Sequence, residues 1–174
     1  MRWEPAPGLR ITGMGSIGDW QWQNNLKDII ISDGREGGEE ETVDLYIKGL
    51  KIGDAAQTTA AVGVDYELFK GFLLMGDFTY AADLYAYFDV LGRGTAEDEG
   101  VQPWKMPDFG LFDFGMAYSF PIAGFDASVY GRINNAFDTE YVSDAADGQN
   151  HDAASAIVFY GFGRTWSIGL KLRF

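Results

Sequence analysis

Ser143, Asp144, Asp147, His151 and Asp152 crowd one short stretch of this chain. A serine near a histidine and a carboxylate is the raw material of a nucleophilic triad. Three aspartates with no Lys or Arg between 137 and Arg164 are also oxygen donors for a hard cation. Neither chemistry is met by the spacing. Proximity along a chain makes no triad, the intervals match no EF-hand loop, and no nucleophile elbow, P-loop or HExxH motif is present. His151 is the only histidine and cysteine is absent, which leaves no transition-metal cage. The plain expectation is a solvated acidic loop with a turn at Asp147-Gly148. No enzymatic activity, metal or cofactor is expected.

Aromatic residues are the second candidates. Tyr85, Tyr87 and Phe88 border the 88–107 segment and could stack on a flat ligand ring, as could Trp20, Trp22 and Trp104. Anchoring at a membrane interface is the preferred role for both groups, because Tyr and Trp gather there.

The elements that must hold these residues are strands. The 174 residues include 23 Gly and 16% aromatics but only 5 Pro, a balance that favours β structure with tight turns. No apolar run reaches the ~18 to 20 residues of a membrane helix. A net charge of −13 argues against a nucleic-acid partner and reads as a solvated surface.

Six stretches alternate with period two. In RTWSIGLKLRF, Trp166, Ile168, Leu170, Leu172 and Phe174 share one face, and Thr165, Ser167, Gly169, Lys171 and Arg173 the other. Residues 125–137 and 108–120 alternate likewise about a turn at Pro121 to Gly124. So do 72–88 and 57–69 about Lys70-Gly71. The sixth strand is placed at 8–22, with a bulge near Gly18 to bring Trp20 and Trp22 into phase. These strands are long beside the ~5 to 6 residues of soluble ones and suit a tilted membrane crossing. The face opposite the apolar one holds Asp77, Arg132 and Lys171, as a wet lumen would. Short connections alternate with the long polar segments 23–56, 88–107 and 137–162, the signature of periplasmic turns and external loops. Ile29 to Ile31 and Val43 to Lys51 are expected to form an external hairpin with Gly34, Gly37 and Gly38 at its tip. An antiparallel up-and-down transmembrane β-barrel is the fold predicted.

Residues 133–141, INNAFDTEY, followed by 159–174, FYGFGRTWSIGLKLRF, resemble the end of TonB-dependent outer-membrane receptors. The matching residues are Asn134, Asn135, Phe137, Asp138, Tyr141, Gly163, Arg164, Thr165 and Phe174. The upstream strands follow in the family's order, so the resemblance spans nearly the whole chain. It implies a 22-stranded barrel of which residues 1–174 would be about the last six strands. The amino-terminal plug domain would lie upstream. The first residues contain no signal peptide, which also points to an upstream extension, and Met1 is expected near a periplasmic turn. The resemblance further implies energised uptake of a large scarce nutrient, such as an iron-siderophore complex, cobalamin or an oligosaccharide. TonB would act through the plug. Trp166, Ile168, Leu170, Leu172 and Phe174 resemble the signal read by the barrel assembly machinery through strand addition.

Two rival readings remain. One is a complete eight-stranded barrel, counting 28–32 and 43–51 as spans and acting as structural protein, adhesin or pore. The other is a soluble β domain, which would have to bury Asp77, Arg132 and Lys171 together.

Overall fold

Where alternation is continuous in the chain, strands form. The computed structural model describes residues 1–32 and 40–173. Along it run β1 (Arg2–Ala6), β2 (Leu9–Ile17), β3 (Leu26–Ser32), β4 (Glu40–Leu45), β5 (Thr58–Phe69) and β6 (Phe72–Ala82). Then follow β7 (Phe109–Ile122), β8 (Phe125–Asn134), β9 (Val142–Ala146), β10 (Ile157–Tyr160) and β11 (Thr165–Arg173). A seven-stranded sheet has the order β1-β2-β5-β6-β7-β8-β11, every neighbour antiparallel. β3–β4 and β9–β10 are separate hairpins. The fold is all-β and antiparallel, as the alternation predicts.

Short turns join β1 to β2, β5 to β6 and β7 to β8. Each ends on a left-handed glycine: Gly8 at φ 78°, Gly71 at φ 85° and Gly124 at φ 87°. At Gly71 a Cβ would also fall 2.5 Å from the Ser119 carbonyl oxygen, so backbone angle and space both demand glycine. The meander therefore places these turns at one end of the sheet and every long connection at the other.

The two faces of the sheet are unlike. On one, Trp166 and Ile168 are each 74% exposed, and Phe114, Met116 and Tyr118 are also open. The alternate residues of β7 and β8 are mostly small or polar. Arg132 bridges Asp77 and Asp113 at 3.1 Å each, and Arg10 pairs with Asp65 across β2 and β5. Apolar out and charge in reverses the plan of a water-soluble sheet.

The buried core lies elsewhere, among the long connections. Leu84, Ala86, Met106, Val142 and Ala145 form one cluster. Leu45, Ile47, Leu50 and Phe88 form a second. Together they close the loop end of the sheet with a dry cap.

Several expectations need correction. Arg2–Ala6 is a seventh strand, hidden in the sequence by Pro5, which an edge strand tolerates because no ladder N–H is needed there. Met1 consequently lies away from the turn, its amino group donating to the Gly13 carbonyl at 2.7 Å. The strand placed at 8–22 stops at Ile17 with no bulge. Beyond it the Gln57 side chain stands in for a strand, accepting from the Trp20 N–H at 2.6 Å and donating to its carbonyl at 3.3 Å. β6 ends at Ala82 because Asp83 turns at φ 54°, and β8 ends where Asn135 turns at φ 47°. The β3–β4 hairpin is present, outside the main sheet, which removes the two extra spans of the eight-stranded reading. Its expected tip glycines Gly34, Gly37 and Gly38, like Phe174, lie outside the described residues.

Candidate functional site

Three long connections meet in the cap, and backbone pairing sets their positions. Residues 84–86 run beside 104–106, with the Ala86 N–H to the Trp104 carbonyl and the Met106 N–H to the Leu84 carbonyl, both 2.9 Å. Tyr87 then joins β9: its N–H donates to Ala145 at 2.8 Å and its carbonyl accepts from Asp147 at 2.7 Å. Gln102 ties the segment before β5, donating to Gly49 and accepting from the Lys51 N–H, both at 2.9 Å.

The acidic stretch that seemed solvated is built into this cap. Asp147 is fully buried against Arg93, also fully buried, at 3.2 Å. His151 Nδ1 lies 2.5 Å from the same carboxylate, and the other Asp147 oxygen accepts the Trp104 N–H at 3.0 Å. Arg93 also donates to the Val101 carbonyl at 2.6 Å. Burial pulls the guanidinium below its ordinary value, and Asp147 opposes that pull. Sequence reasoning missed Arg93, whose side-chain partners Asp147 and His151 lie 54 and 58 residues away. A lone arginine in an acidic segment, LGRGTAEDEG, was the signal available.

The other aspartates go separate ways. Asp152 binds Ser155, and Asp144 meets the Asp54 carboxyl. Among the described residues no group of three or more side chains able to hold a metal comes together. Ser143 donates to the Phe159 carbonyl at 3.0 Å, so its hydroxyl serves the β9–β10 hairpin and the triad arrangement does not exist.

Tyr87 and its backing present the surface best suited to a ring. Phe88, buried, stacks under Tyr87 with ring centroids 5.2 Å apart, and Trp22 meets Phe88 edge-on at 5.9 Å. Tyr87 itself is 50% exposed. The 52–55 segment passes beside it: a Cβ on Gly53 would lie 2.6 Å from the Tyr87 Cα, and Asp54 donates its N–H to the Tyr85 carbonyl at 3.3 Å. The Asp144 carboxyl faces that of Asp54 on this side. Burial, then the neighbouring carboxylate, pushes Asp54 up to about 6. An open aromatic face beside paired carboxyls can stack on a ring and accept hydrogen bonds from polar substituents.

The described residues of the terminal motif, Asn134 to Thr165, are brought together as a knot between β8 and β11. Asn135, at φ 47°, is buried; its amide donates to the carbonyls of Thr139 at 2.9 Å and Phe162 at 3.2 Å. Its backbone N–H reaches Asp113 at 2.9 Å. Asn134 donates to the Thr165 hydroxyl at 3.2 Å, and Asp138 accepts the Arg164 N–H at 2.7 Å. A Cβ on Gly163 would press on that Asp138 oxygen at 3.0 Å. Phe137 packs edge-on to Phe112 at 5.3 Å, and Tyr141 tilts over Phe109 at 4.4 Å. Trp166, Ile168, Leu170 and Leu172 stand exposed in one row on β11.

No protein-family model matches the chain, and no curated protein does. Among solved structures it is similar to the siderophore receptor PiuA from Acinetobacter baumannii, with a TM-score of 0.61 at 16% identity. The match covers 97% of this chain and 20% of that one, so the chain spans about one fifth of the receptor's length. What is shared at that identity is the fold, an antiparallel β architecture.

Proposed function

We propose that the chain forms part of the barrel wall and external loops of a TonB-dependent outer-membrane receptor. The observation that carries this reading is the inverted sheet: an apolar outer face, a charged inner face, and a folded cap at the end opposite the short turns. A bilayer is the solvent in which that outer face is stable. The role is binding and energised uptake of a scarce large nutrient of the iron-siderophore, cobalamin or oligosaccharide class, with no chemical step. Tyr87 and the Asp54–Asp144 pair are proposed as one wall of the ligand approach. The likeness to a siderophore receptor favours an iron-siderophore complex within that class.

The partners that follow are outer-membrane lipid, the barrel assembly machinery engaging β11, and TonB acting through an upstream plug domain. The test is uptake of labelled ferric siderophores by cells producing the protein, with and without a proton-gradient uncoupler. Uptake should stop with the uncoupler and fall at least tenfold when residues 84–108 are replaced by a short turn. Correct surface levels with neither loss would sink the reading.

A further inference from the structure

A furrow runs along β8 on the apolar face. Cross-strand register sets Met116 of β7 and Ile168 of β11 on either side of Gly131, with no side chain between them. Tyr118 and Trp166 extend the two walls, and Val129 forms the floor on the side of the turns. The open volume is about 720 Å³, and its lining is almost wholly apolar. Local packing does not require this depth. A Cβ on Gly131 would meet the Ser167 carbonyl at 3.7 Å and Ile168 Cγ1 at 4.0 Å, ordinary contact distances. At the loop end stands Arg164, exposed and one residue before β11. Asp138 takes its backbone N–H, while the guanidinium reaches only the Ala136 carbonyl at 3.5 Å. Among the described residues Arg164 makes no ion pair.

Resting on the reading that this face meets a bilayer, we propose that the β8 furrow and Arg164 bind one anionic phospholipid, its headgroup carrying no cation of its own, from the leaflet nearest the loops. An acyl chain lies along Val129 to Ile133, and the phosphate pairs with Arg164. The furrow follows the strand, and four residue steps span roughly 13 Å, room for an extended stretch of chain. A disordered lipid tail would leave the floor at Gly131 short of contacts, whereas a seated one restores them. A guanidinium binds phosphate through paired charge-assisted hydrogen bonds, which fixes the head of the lipid where the wall meets the cap.

The experiment uses the folded protein reconstituted with dipalmitoyl phosphatidylglycerol or with phosphatidylcholine of the same chains, then extracted into mild detergent. Retained lipid is counted by native mass spectrometry. One phosphatidylglycerol should persist on the native protein, in preference to phosphatidylcholine. Arg164→Gln should reduce its retention about tenfold, as expected for loss of a charge-assisted contact. Gly131→Leu should abolish retention of either lipid by filling the floor, with an unfolding midpoint close to native. Equal retention of both lipids, or retention unchanged in Gly131→Leu, would overturn the site while leaving the membrane reading intact. Failure to insert into any vesicle would overturn both.

Discussion

The ring of Tyr130 on β8 lies across Gly169, its register partner on β11, and occupies the space a side chain there would need. A Cβ at 169 would overlap the phenol carbon Cζ. An aromatic covering a cross-strand glycine pins register, and among the described residues β11 has a neighbouring strand on one side only. A slip by one residue would turn Trp166 and Ile168 to the charged face. Gly169→Val should therefore displace the ring and cost about 1–3 kcal/mol. Tyr130→Ala should cost a similar amount, and the double variant less than the sum of the two. Denaturant unfolding in micelles reads all four species; strictly additive costs would refute the contact.

The Arg93–Asp147 pair makes a different prediction, about the cap alone. Removing one partner of a buried ion pair leaves the other charge uncompensated, at about 3–5 kcal/mol. Asp147→Asn should raise amide exchange across 84–106 and 142–147, with exchange in β5 to β8 unchanged. The wall does not depend on that pair, since its ladder bonds run strand to strand. Uniform loss of protection through the whole chain would contradict a separately stabilised cap.

Asp54 ties the 46–57 connection to β9, and its raised value fixes the sign of a pH effect. The folded form holds its proton up to about 6, whereas the free side chain releases it near 3.8. Stability from this contact is thus present in acid, declines as pH rises past 3.8, and is gone above about 6. Asp144 is the carboxylate facing Asp54. Among the described residues no cation offsets this pair, and Lys51, three residues before Asp54, is engaged by Asp19. Protection of the Asp54 amide should drop between pH 5 and pH 7.5, after correction for intrinsic exchange. Asp144→Asn should flatten that dependence; a native-like response in this variant would count against the pair.

The sheet was legible in the sequence because its two unlike faces impose a strict period of two. β5, β7, β8 and β11 stand close to where alternation puts them. β1 was hidden by Pro5, and the placing of Trp20 and Trp22 in a strand failed because a side-chain amide, Gln57, can imitate a strand. The cap was not legible at all. Its contacts join residues such as Arg93 and His151, which lie far apart in the chain and follow no period. The same blindness made Asp147, a fully buried anion, look like one more solvated aspartate. The terminal motif was visible as a pattern, but its work as a knot around Asn135 shows only in three dimensions.

On the proposed reading that the apolar face meets a bilayer, the dry clusters above the sheet give the molecule two solvents for two kinds of order. Leu84 with Met106, and Ile47 with Leu50, are driven together by water, so urea and low temperature weaken both clusters in the ordinary way. On that reading the strands below owe their arrangement to a medium that urea barely enters. Chaotropes should therefore strip the protein from the top down, leaving a bare cylinder segment in the bilayer whose rim can rebuild its cap on dilution.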